Sequence, residues 1–175
     1  MTTVTISGLP GTGKTTVAKL LEKKLGLRYV YSGEIFREMA EKQKMSLEEF
    51  GRYCESHREI DEELDRYQLG ILQQGGVIVE GRIAGWLAYQ NHIPAVKVLL
   101  EADISIRVGR IMKREAGDFE KRKKEILKRE KSEATRYKKY YGIDVNDTSI
   151  YDVIIDAGNK TPEEIMECIV QHLGE

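Results

Sequence analysis

Cysteine and long apolar runs are both scarce in this chain. Its two cysteines, Cys54 and Cys168, stand far apart and lack the spacing of metal ligands. Two such residues indicate ordinary packed thiols rather than a disulfide framework. No stretch approaches the ~18 apolar residues that cross a bilayer, and the N-terminus has no basic segment followed by an apolar one. The sequence therefore predicts a protein that remains in the cytoplasm.

An excess of charge of one sign is missing as well. The chain carries 28 Lys and Arg against 29 Asp and Glu, a formal net charge of −1. This balance argues against a whole-protein affinity for nucleic acid or for an anionic membrane. Between Arg107 and Lys139, however, basic residues outnumber acidic ones. That run is either a solvated helix face or a local phosphate-binding surface.

The length of 175 residues, 41% of them hydrophobic, suits one globular domain that spans residues 1–175. Short apolar runs bounded by polar or turn residues alternate with helical patterns. Because these runs are continuous rather than alternating, they predict an α/β fold with a five-stranded parallel sheet and helices on both faces. The predicted strands are residues 3–7, 28–31, 77–80, 95–100 and 152–156.

Two helical segments interrupt this alternation. Residues 33–74 contain no convincing strand, and their place between the second and third strands suits an insertion that binds an acceptor. Residues 104–140 are helical with a break near Gly117, are rich in Arg and Lys, and have few large apolar residues in the middle. That composition fits a lid better than a core element. We expect the insertion at about 33–74, with helices at 34–42, 47–55 and 59–73, and the lid at about 107–140.

The most specific motif lies between the first strand and the first helix. It satisfies the G-x-x-x-x-G-K-[ST] pattern of a phosphate-binding loop, in the strand-to-helix context that the pattern requires. Its glycines let successive backbone N–H groups wrap a nucleoside triphosphate; the lysine reaches the β and γ phosphates, and the first threonine ligates Mg²⁺. The alternative is a plain glycine-rich turn. The loop consists of Gly8, Leu9, Pro10, Gly11, Thr12, Gly13, Lys14, Thr15 and Thr16.

Glu80 and Arg82 follow the third predicted strand, in the run Val-Ile-Val-Glu-Gly-Arg. The carboxyl ends of parallel strands form the ligand edge of such a sheet. Glu80 is expected to hold Mg²⁺ through water, alongside Thr15, unless it only forms an ion pair. Arg82 can bind an acceptor phosphate in the two-point geometry of a guanidinium, with a structural salt bridge as the alternative.

Ser32 and Arg37 follow the second predicted strand, in the run Ser-Gly-Glu-Ile-Phe-Arg. The serine hydroxyl either caps the next helix or contacts a ligand, and the residues alone do not decide between the two. Arg37 lies about one turn further along and is expected to face the same cleft. A monophosphate bound at this helix start needs such a counter-charge.

Arg129, Glu133 and Arg136 share one face of the predicted lid helix. They form either an exposed ladder of ion pairs or a binding face. As a binding face, the arginines contact phosphates, and Glu133 accepts a hydrogen bond from an exocyclic amine of the acceptor base. Asp61 and Asp65, one turn apart in the insertion, can assist base recognition, but we favour a solvated helix face for them.

These motifs, taken in order along nearly the whole chain, resemble those of the cytidylate kinase family, most closely its short archaeal form. The resemblance rests on residues 8–16, on the runs at 32–37, 80–82 and 129–136, and on Tyr-Asp-Val-Ile-Ile-Asp at 151–156. It implies the P-loop NTPase fold of nucleoside monophosphate kinases, with a core, an acceptor-binding insertion and a lid. It also implies transfer of the γ-phosphoryl group of ATP to CMP or dCMP, in pyrimidine nucleotide metabolism.

The resemblance also assigns roles to residues. The substrate-binding residues that it implies are Ser32, Arg37, Arg82, Arg129, Glu133 and Arg136. Two features depart from the bacterial members: Glu34 and Phe36 replace Ala and Tyr, and the base-reading acid is a glutamate rather than an aspartate. Cytosine contacts made from the larger bacterial insertion cannot be carried over.

The implied reaction requires no protein nucleophile. Its loose, highly charged transition state is stabilised by alignment, by Mg²⁺ and by cationic side chains, while closure of the lid excludes water. The catalytic residues expected are Lys14, Arg82, Arg107, Arg110, Arg129 and Arg136. The expected partners are small molecules, ATP with CMP or dCMP, bound by a monomer without nucleic acid or membrane.

Other functions that use the same motifs stay open. A kinase for AMP, UMP, shikimate or dephospho-coenzyme A would share the loop and the lid. A GTPase-like switch or an ATP-driven regulator would share the loop, but the chain has neither an Asp-x-x-Gly switch after a strand nor an Asn-Lys-x-Asp guanine-reading motif. A nucleic-acid-binding module that used the basic lid would show an affinity that falls steeply with salt.

Overall fold

A parallel sheet forms the centre of the protein. The computed structural model describes residues 2–174, and within them five parallel strands lie in the order β2-β3-β1-β4-β5. The strands are β1 Val4–Gly8, β2 Arg28–Tyr31, β3 Val77–Glu80, β4 Val96–Glu101 and β5 Val153–Asp156. The expected α/β fold is confirmed, and each strand lies within a residue of its predicted position.

Helices join the strands and cover both faces of the sheet. Within the described residues they are α1 Lys14–Leu25, α2 Ser32–Lys42, α3 Leu47–Cys54, α4 Arg58–Gln74, α5 Ala84–Gln90, α6 Ile104–Met112, α7 Phe119–Tyr141 and α8 Pro162–Leu173. None of the helices described between residues 2 and 174 is both long enough and apolar enough to cross a membrane.

The central strand β1 is buried along its whole length and pairs with β3 on one side and β4 on the other. On one face of the sheet, Val4 and Ile6 pack with the apolar residues of α1 and α8. On the other face, Val77 and Val79 pack with those of α4 and α5. Because both faces are covered, the strands need apolar residues on both sides, which explains the continuous apolar runs in the sequence.

Helix α5 was not predicted from the sequence. Its seven residues, Ala-Gly-Trp-Leu-Ala-Tyr-Gln, include five that are buried. A short helix that is apolar on most sides has no contrast between faces, so it lacks the periodicity that marks an amphipathic helix. It follows Glu80 and Arg82 in the chain and packs against the same face of the sheet as α4.

The insertion between β2 and β3 has a small core of its own. Phe36 and Ala40 of α2 pack against Phe50 and Cys54 of α3. The ring centres of Phe36 and Phe50 are 4.9 Å apart. Cys54 is a free, buried thiol and Cys168 is free and half-buried, so both are unpaired, as expected.

Helices α6 and α7 occupy the segment expected to be a lid, and the chain breaks between them at residues 113–118, close to the predicted position. One face of the second half of α7 is buried, although its basic composition predicts an exposed lid helix. Ser132, Glu133, Arg136 and Tyr137 are all buried, and Tyr137 belongs to the core beside β3. This half of α7 is a wall of the cleft, and mobility of the segment stays a prediction.

Candidate phosphate and acceptor site

The phosphate loop spans the turn from β1 into α1. Gly11 has φ +83°, and a Cβ atom there would lie 2.5 Å from the carbonyl oxygen of Arg107, so only glycine fits. Gly13, in the left-handed region at φ 89°, is the N-cap of α1 and supplies no side-chain cap. The positive end of a 12-residue helix is therefore open to an anion.

Lys14 is the first residue of α1 and is 5% exposed. Its Nζ donates a hydrogen bond to the carbonyl oxygen of Leu9, 2.9 Å away. Burial and the nearby charge of Arg82 hold the pKa of Lys14 well below its usual range. An ammonium group in this position is stabilised by an anion, which a bound triphosphate would supply.

Thr15 and Glu80, the predicted metal-binding pair, lie side by side. The Thr15 hydroxyl donates to Oε1 of Glu80 at 3.1 Å, and the Tyr29 hydroxyl donates to Oε2 at 2.5 Å. No cluster of three or more His, Cys, Asp or Glu side chains within residues 2–174 could hold a metal alone. Mg²⁺ commonly takes one or two protein oxygens and completes its shell with phosphates and water, so this pair fits it.

Arg107 and Arg110 of α6 reach the phosphate loop. Arg107 is 4% exposed and donates from Nη1 to the carbonyl oxygen of Pro10 at 3.1 Å; the same nitrogen pairs with Glu130 of α7. Arg110 donates to the carbonyl oxygen of Thr12 at 3.2 Å and to that of Ala157 at 2.5 Å. The structure thus brings both predicted arginines to the loop.

Ser32 does not cap α2, so the capping interpretation is wrong. It is the first helical residue, and the N-cap position belongs to Tyr31, which makes no side-chain cap. The Ser32 hydroxyl instead donates to the carbonyl oxygen of Glu80 at 2.8 Å, which ties α2 to the end of β3. Arg37 is exposed, and its guanidinium carbon lies 6.0 Å from the ring centre of Tyr31, at the acceptor side of the site.

Arg82, Glu133 and Arg129 form a compact ion-pair cluster. Nε of Arg82 donates to Oε2 of Glu133 at 2.9 Å, and Nε of Arg129 lies 3.3 Å from Oε1 of the same carboxylate. Burial alone would raise the pKa of Glu133, but the three arginines Arg82, Arg129 and Arg136 outweigh it and hold the pKa below its usual range. Glu133 is 6% exposed, so the interpretation as an exposed ion-pair ladder is wrong.

Arg136 joins α7 to the insertion. It is 2% exposed, and its Nε donates to Oδ2 of Asp61 at 2.9 Å. Its Nη1 donates to the Gly51 carbonyl oxygen at 3.2 Å and to the Ser132 hydroxyl at 3.1 Å. The solvated face favoured for Asp61 and Asp65 is therefore wrong, since Asp61 and Asp65 are both buried.

These groups surround one cavity between β3, the insertion and α7. Its volume of about 40 Å³ is far below the roughly 300–1,000 Å³ of a typical small-molecule site. The ion-paired side chains fill the space, so an acceptor must displace them to enter. The cavity is lined by Tyr31, Ser32, Gly33, Phe36, Asp61, Leu64, Asp65, Gln68, Gly81, Arg82, Ile83, Arg129, Glu133, Arg136 and Tyr137.

Sequence reasoning missed two of the groups that contribute to the site, Tyr29 and Gln68. A signal for Gln68 was present in α4: Asp61, Asp65 and Gln68 recur at helical spacing in line with the buried Leu72. Polar residues on the apolar stripe of a helix are buried with it. No comparable signal marks Tyr29, because its partner Glu80 is 51 residues away in the chain.

Known proteins resemble the chain over nearly its full length. A family model described as "Cytidylate kinase-like family" matches residues 3–159. A protein named cytidylate kinase from Methanocaldococcus jannaschii is 46% identical over 167 residues, covering 95% of this chain and 94% of that protein. Another cytidylate kinase, from Pyrococcus horikoshii, is 43% identical over 173 residues, covering 97% of this chain and 88% of that protein.

Solved structures share the fold at low sequence identity. A shikimate kinase from Bacteroides thetaiotaomicron superposes with a TM-score of 0.61 at 14% identity, over 99% of both chains. A gluconokinase from Sinorhizobium meliloti has a TM-score of 0.64 at 12% identity, over 99% of this chain and 91% of the other. At such identities the likeness shows the P-loop kinase fold alone.

Proposed function

The chain belongs to the cytidylate kinase-like family, and on that basis we propose that it is a nucleoside monophosphate kinase which transfers the γ-phosphoryl group of ATP to CMP and dCMP. The products are ADP and the corresponding diphosphate. One observation carries the proposal beyond family membership. Glu80 links the two sites: its carboxylate accepts a hydrogen bond from Thr15 of the phosphate loop at 3.1 Å, and its backbone carbonyl oxygen accepts one from Ser32 of the acceptor cavity at 2.8 Å. The donor and acceptor sites therefore adjoin.

Phosphoryl transfer between two such sites depends on alignment and on positive charge. The transferring group is loosely bonded to both oxygens in the transition state, with its charge spread over the equatorial oxygens. We assign Lys14 to the triphosphate, and Arg82 and Arg129 to the acceptor phosphate and the transferring group. Arg107 and Arg110, which already contact the phosphate loop, stabilise the donor side. Preorganised cations of this kind are the main source of catalysis in a reaction without a protein nucleophile.

Mg²⁺ is the metal that this site suits. Thr15 and Glu80 would hold it, Thr15 by its hydroxyl and Glu80 by its carboxylate. When bound, the ion neutralises charge on the β and γ phosphates. Tyr29 keeps its hydroxyl on the second oxygen of Glu80 and so fixes the orientation of that carboxylate.

The ion-pair cluster prepares the acceptor site before the acceptor arrives. Glu133 neutralises Arg82 and Arg129 in the absence of a phosphate. An entering monophosphate supplies the same negative charge in a two-point geometry that guanidinium groups favour, and so takes the place of the carboxylate. Arg136 keeps its bonds to Asp61 and the backbone of α3, and its direct contact with a phosphate stays a prediction.

Conformational change accompanies acceptor binding, because the cavity is too small for a nucleotide as it stands. We propose one domain, residues 1–175, in which an insertion at about 33–74 and a lid at about 107–140 move relative to the core. The pair between Arg107 and Glu130 links α6 to α7 within the lid. Closure would exclude water and suppress hydrolysis of ATP.

The experiment that tests the function measures ADP release from Mg²⁺-ATP with CMP, dCMP, UMP, AMP, GMP, shikimate or no acceptor, and identifies the products. Preference for CMP and dCMP is expected. Activity confined to AMP or to a non-nucleotide would contradict CMP as the acceptor but remain consistent with a P-loop kinase. ATP hydrolysis at the same rate with and without every acceptor would favour an ATP-driven regulator. The substrates are small molecules, and we propose a monomer in the cytoplasm, without nucleic-acid or membrane partners.

A further inference from the structure

Two polar side chains of α4 face the acceptor cavity without partners. Oδ2 of Asp65 and Oε1 of Gln68 are buried and accept no hydrogen bond, and both residues line the cavity. Asp65 is 8% exposed and Gln68 is 2% exposed. Burying an acceptor without a donor costs free energy. Two such acceptors on one wall of a binding cavity point to a ligand that supplies the missing donors.

The spacing of the two acceptors suits one small donor group. Asp65 and Gln68 stand three residues apart, so they share a face of α4 with their Cβ atoms about 5–6 Å apart. Gln68 also packs against the chain beside Arg82: a Cβ atom at Gly81 would lie only 2.9 Å from its Oε1. Glycine at this position therefore leaves room for the amide. A ligand whose phosphate is bound by Arg82 can extend toward both acceptors.

Neighbouring groups do not take up these acceptors. The Tyr141 hydroxyl lies close enough to Asp65 to lower the pKa of that carboxyl as a hydrogen-bond donor does, but the two groups do not meet in hydrogen-bond geometry, and Oδ2 of Asp65 and the Tyr141 hydroxyl both stay without a partner. Glu133, the acid expected to read the base, has each of its oxygens paired with an arginine. Glu133 is therefore occupied until a phosphate displaces it from Arg82 and Arg129, whereas Oδ2 of Asp65 and Oε1 of Gln68 have no partner to lose.

We propose that Asp65 and Gln68 read the acceptor base by accepting the two hydrogens of an exocyclic amino group. The inference rests on the proposed function, which supplies cytosine as that base. Uracil carries a carbonyl oxygen in place of the amine, and this oxygen would meet two acceptors. The amide of Gln68 can turn its NH₂ group toward uracil, but an ionised carboxylate has no donor. Asp65 is therefore the residue that discriminates between the two bases.

The test compares kcat/KM for CMP and for UMP in the wild type, Asp65→Asn and Glu63→Gln. Asparagine keeps the shape and adds a donor that suits uracil, so Asp65→Asn should lower the CMP-to-UMP ratio by about tenfold or more and leave the KM for ATP unchanged. Glu63 is exposed on the same helix, and its variant makes the same change of charge without changing the ratio.

A second variant, Gln68→Met, separates hydrogen bonding of Gln68 to the base from its packing in the cavity wall. It removes both the acceptor and the donor of the amide at similar volume, so it should raise the KM for CMP and for UMP together and leave their ratio unchanged. A folded Asp65→Asn enzyme with the wild-type ratio would overturn the inference, and a shifted ratio in Glu133→Gln would then return base reading to Glu133. A wild type that phosphorylates neither nucleotide would instead overturn the proposed function.

Acidity provides a further readout of the same assignment. Burial raises the pKa of Asp65 to about 7. Asp61 and Glu62 on its own helix act in the same direction, while Tyr141 and Arg136 of α7 oppose them. The protonated acid can donate a hydrogen bond to uracil. The ratio of kcat/KM for CMP to that for UMP should therefore fall in the wild type as the pH is lowered from about 8 to about 6. Asp65→Asn should show no such change, and a wild-type ratio that is flat with pH would count against Asp65.

Discussion

The Tyr29 hydroxyl lies 2.5 Å from Oε2 of Glu80, and the Thr15 hydroxyl lies 3.1 Å from Oε1, so both oxygens of one carboxylate are held. Glu80 is 1% exposed at the end of β3. A buried carboxylate that accepts a hydrogen bond on each oxygen keeps one orientation. Tyr29 therefore positions Glu80, the acid proposed to hold Mg²⁺.

Replacing Tyr29 with Phe tests this positioning. The Mg²⁺ concentration at half-maximal activity should rise several-fold, as is usual when a group that orients a metal ligand is lost, while the KM for CMP stays unchanged. The stability should fall by about 1.5–3 kcal/mol, because a hydrogen bond to a charged group is lost. Titration of activity with Mg²⁺ measures the first effect. The exposed Tyr67, replaced with Phe, is the control, and an unchanged Mg²⁺ requirement would leave Tyr29 a packing residue only.

Lys14 should be necessary for turnover and costly for folding. Lys14→Met removes the charge that faces the triphosphate, so kcat should fall by at least about 100-fold. The same change removes a buried ammonium whose pKa is lowered by burial and by Arg82, so the thermal midpoint without ligand should stay the same or rise. Single-turnover rates and thermal unfolding measure the two effects. Wild-type turnover in this variant would reject the phosphate-loop mechanism.

Glu133 should matter for both folding and acceptor binding. Glu133→Gln leaves Arg82 and Arg129 without their shared counter-charge, and breaking a buried ion pair from one side typically costs about 3–5 kcal/mol. Part of that loss should be recovered when CMP binds, because its phosphate replaces the missing charge. The KM for CMP should change more than the KM for ATP. Unfolding with and without CMP measures the effect, and equal destabilisation in both conditions would contradict the exchange of carboxylate for phosphate.

Asp65 should make the stability depend on pH. Its pKa is about 7 in the folded protein and near 3.9 when unfolded, so the folded state holds the proton more tightly. Its stabilising contribution is present below about pH 4 and is lost as the pH rises to about 7, a change of about 4 kcal/mol. The free energy of unfolding of Asp65→Asn, relative to that of the wild type, should therefore increase as the pH rises from about 4 to about 7 and stay constant above about pH 7. Denaturant unfolding at pH 4.5, 6 and 8 tests this, with Glu63→Gln as the control.

The strands and the phosphate loop could be predicted because each is encoded within a few neighbouring residues. The run Val77–Glu80 is apolar up to its final acid, and glycines with lysine and threonine at fixed spacing identify the loop. Such signals need no knowledge of which helix packs against which strand.

The side-chain pairs that shape the cavity are encoded differently. Arg136 and Asp61 are 75 residues apart, and Arg82 and Glu133 are 51 apart. Their pairing follows from the packing of the insertion against α7, which local patterns do not describe. For the same reason Asp61 and Asp65 were expected on a solvated face, since two acids one turn apart look the same whether the helix turns them outward or inward.

The phosphate loop packs tightly against the backbone of α6 at Gly11, and this contact leads to a prediction with a matched control. Gly11 and Gly26 both have left-handed φ values, +83° and +65°. A Cβ atom at Gly11 would lie 2.5 Å from the backbone oxygen of Arg107, whereas nothing lies within 4 Å of one at Gly26. Alanine at either site incurs the backbone strain of about 1 kcal/mol, but only Gly11→Ala also clashes with α6.

Gly11→Ala should therefore displace the loop from Arg107 and weaken ATP binding by well over tenfold, whereas Gly26→Ala should lose a little stability and keep its affinity. Thermal unfolding of both variants measures the effect of the backbone strain that they share. Equilibrium binding of ATP measures the effect of the clash with α6, which only Gly11→Ala has. Equal affinities in the two variants would mean that the loop can move away from α6 without cost. In that case the contact between Arg107 and Pro10 would not hold the loop in its binding conformation.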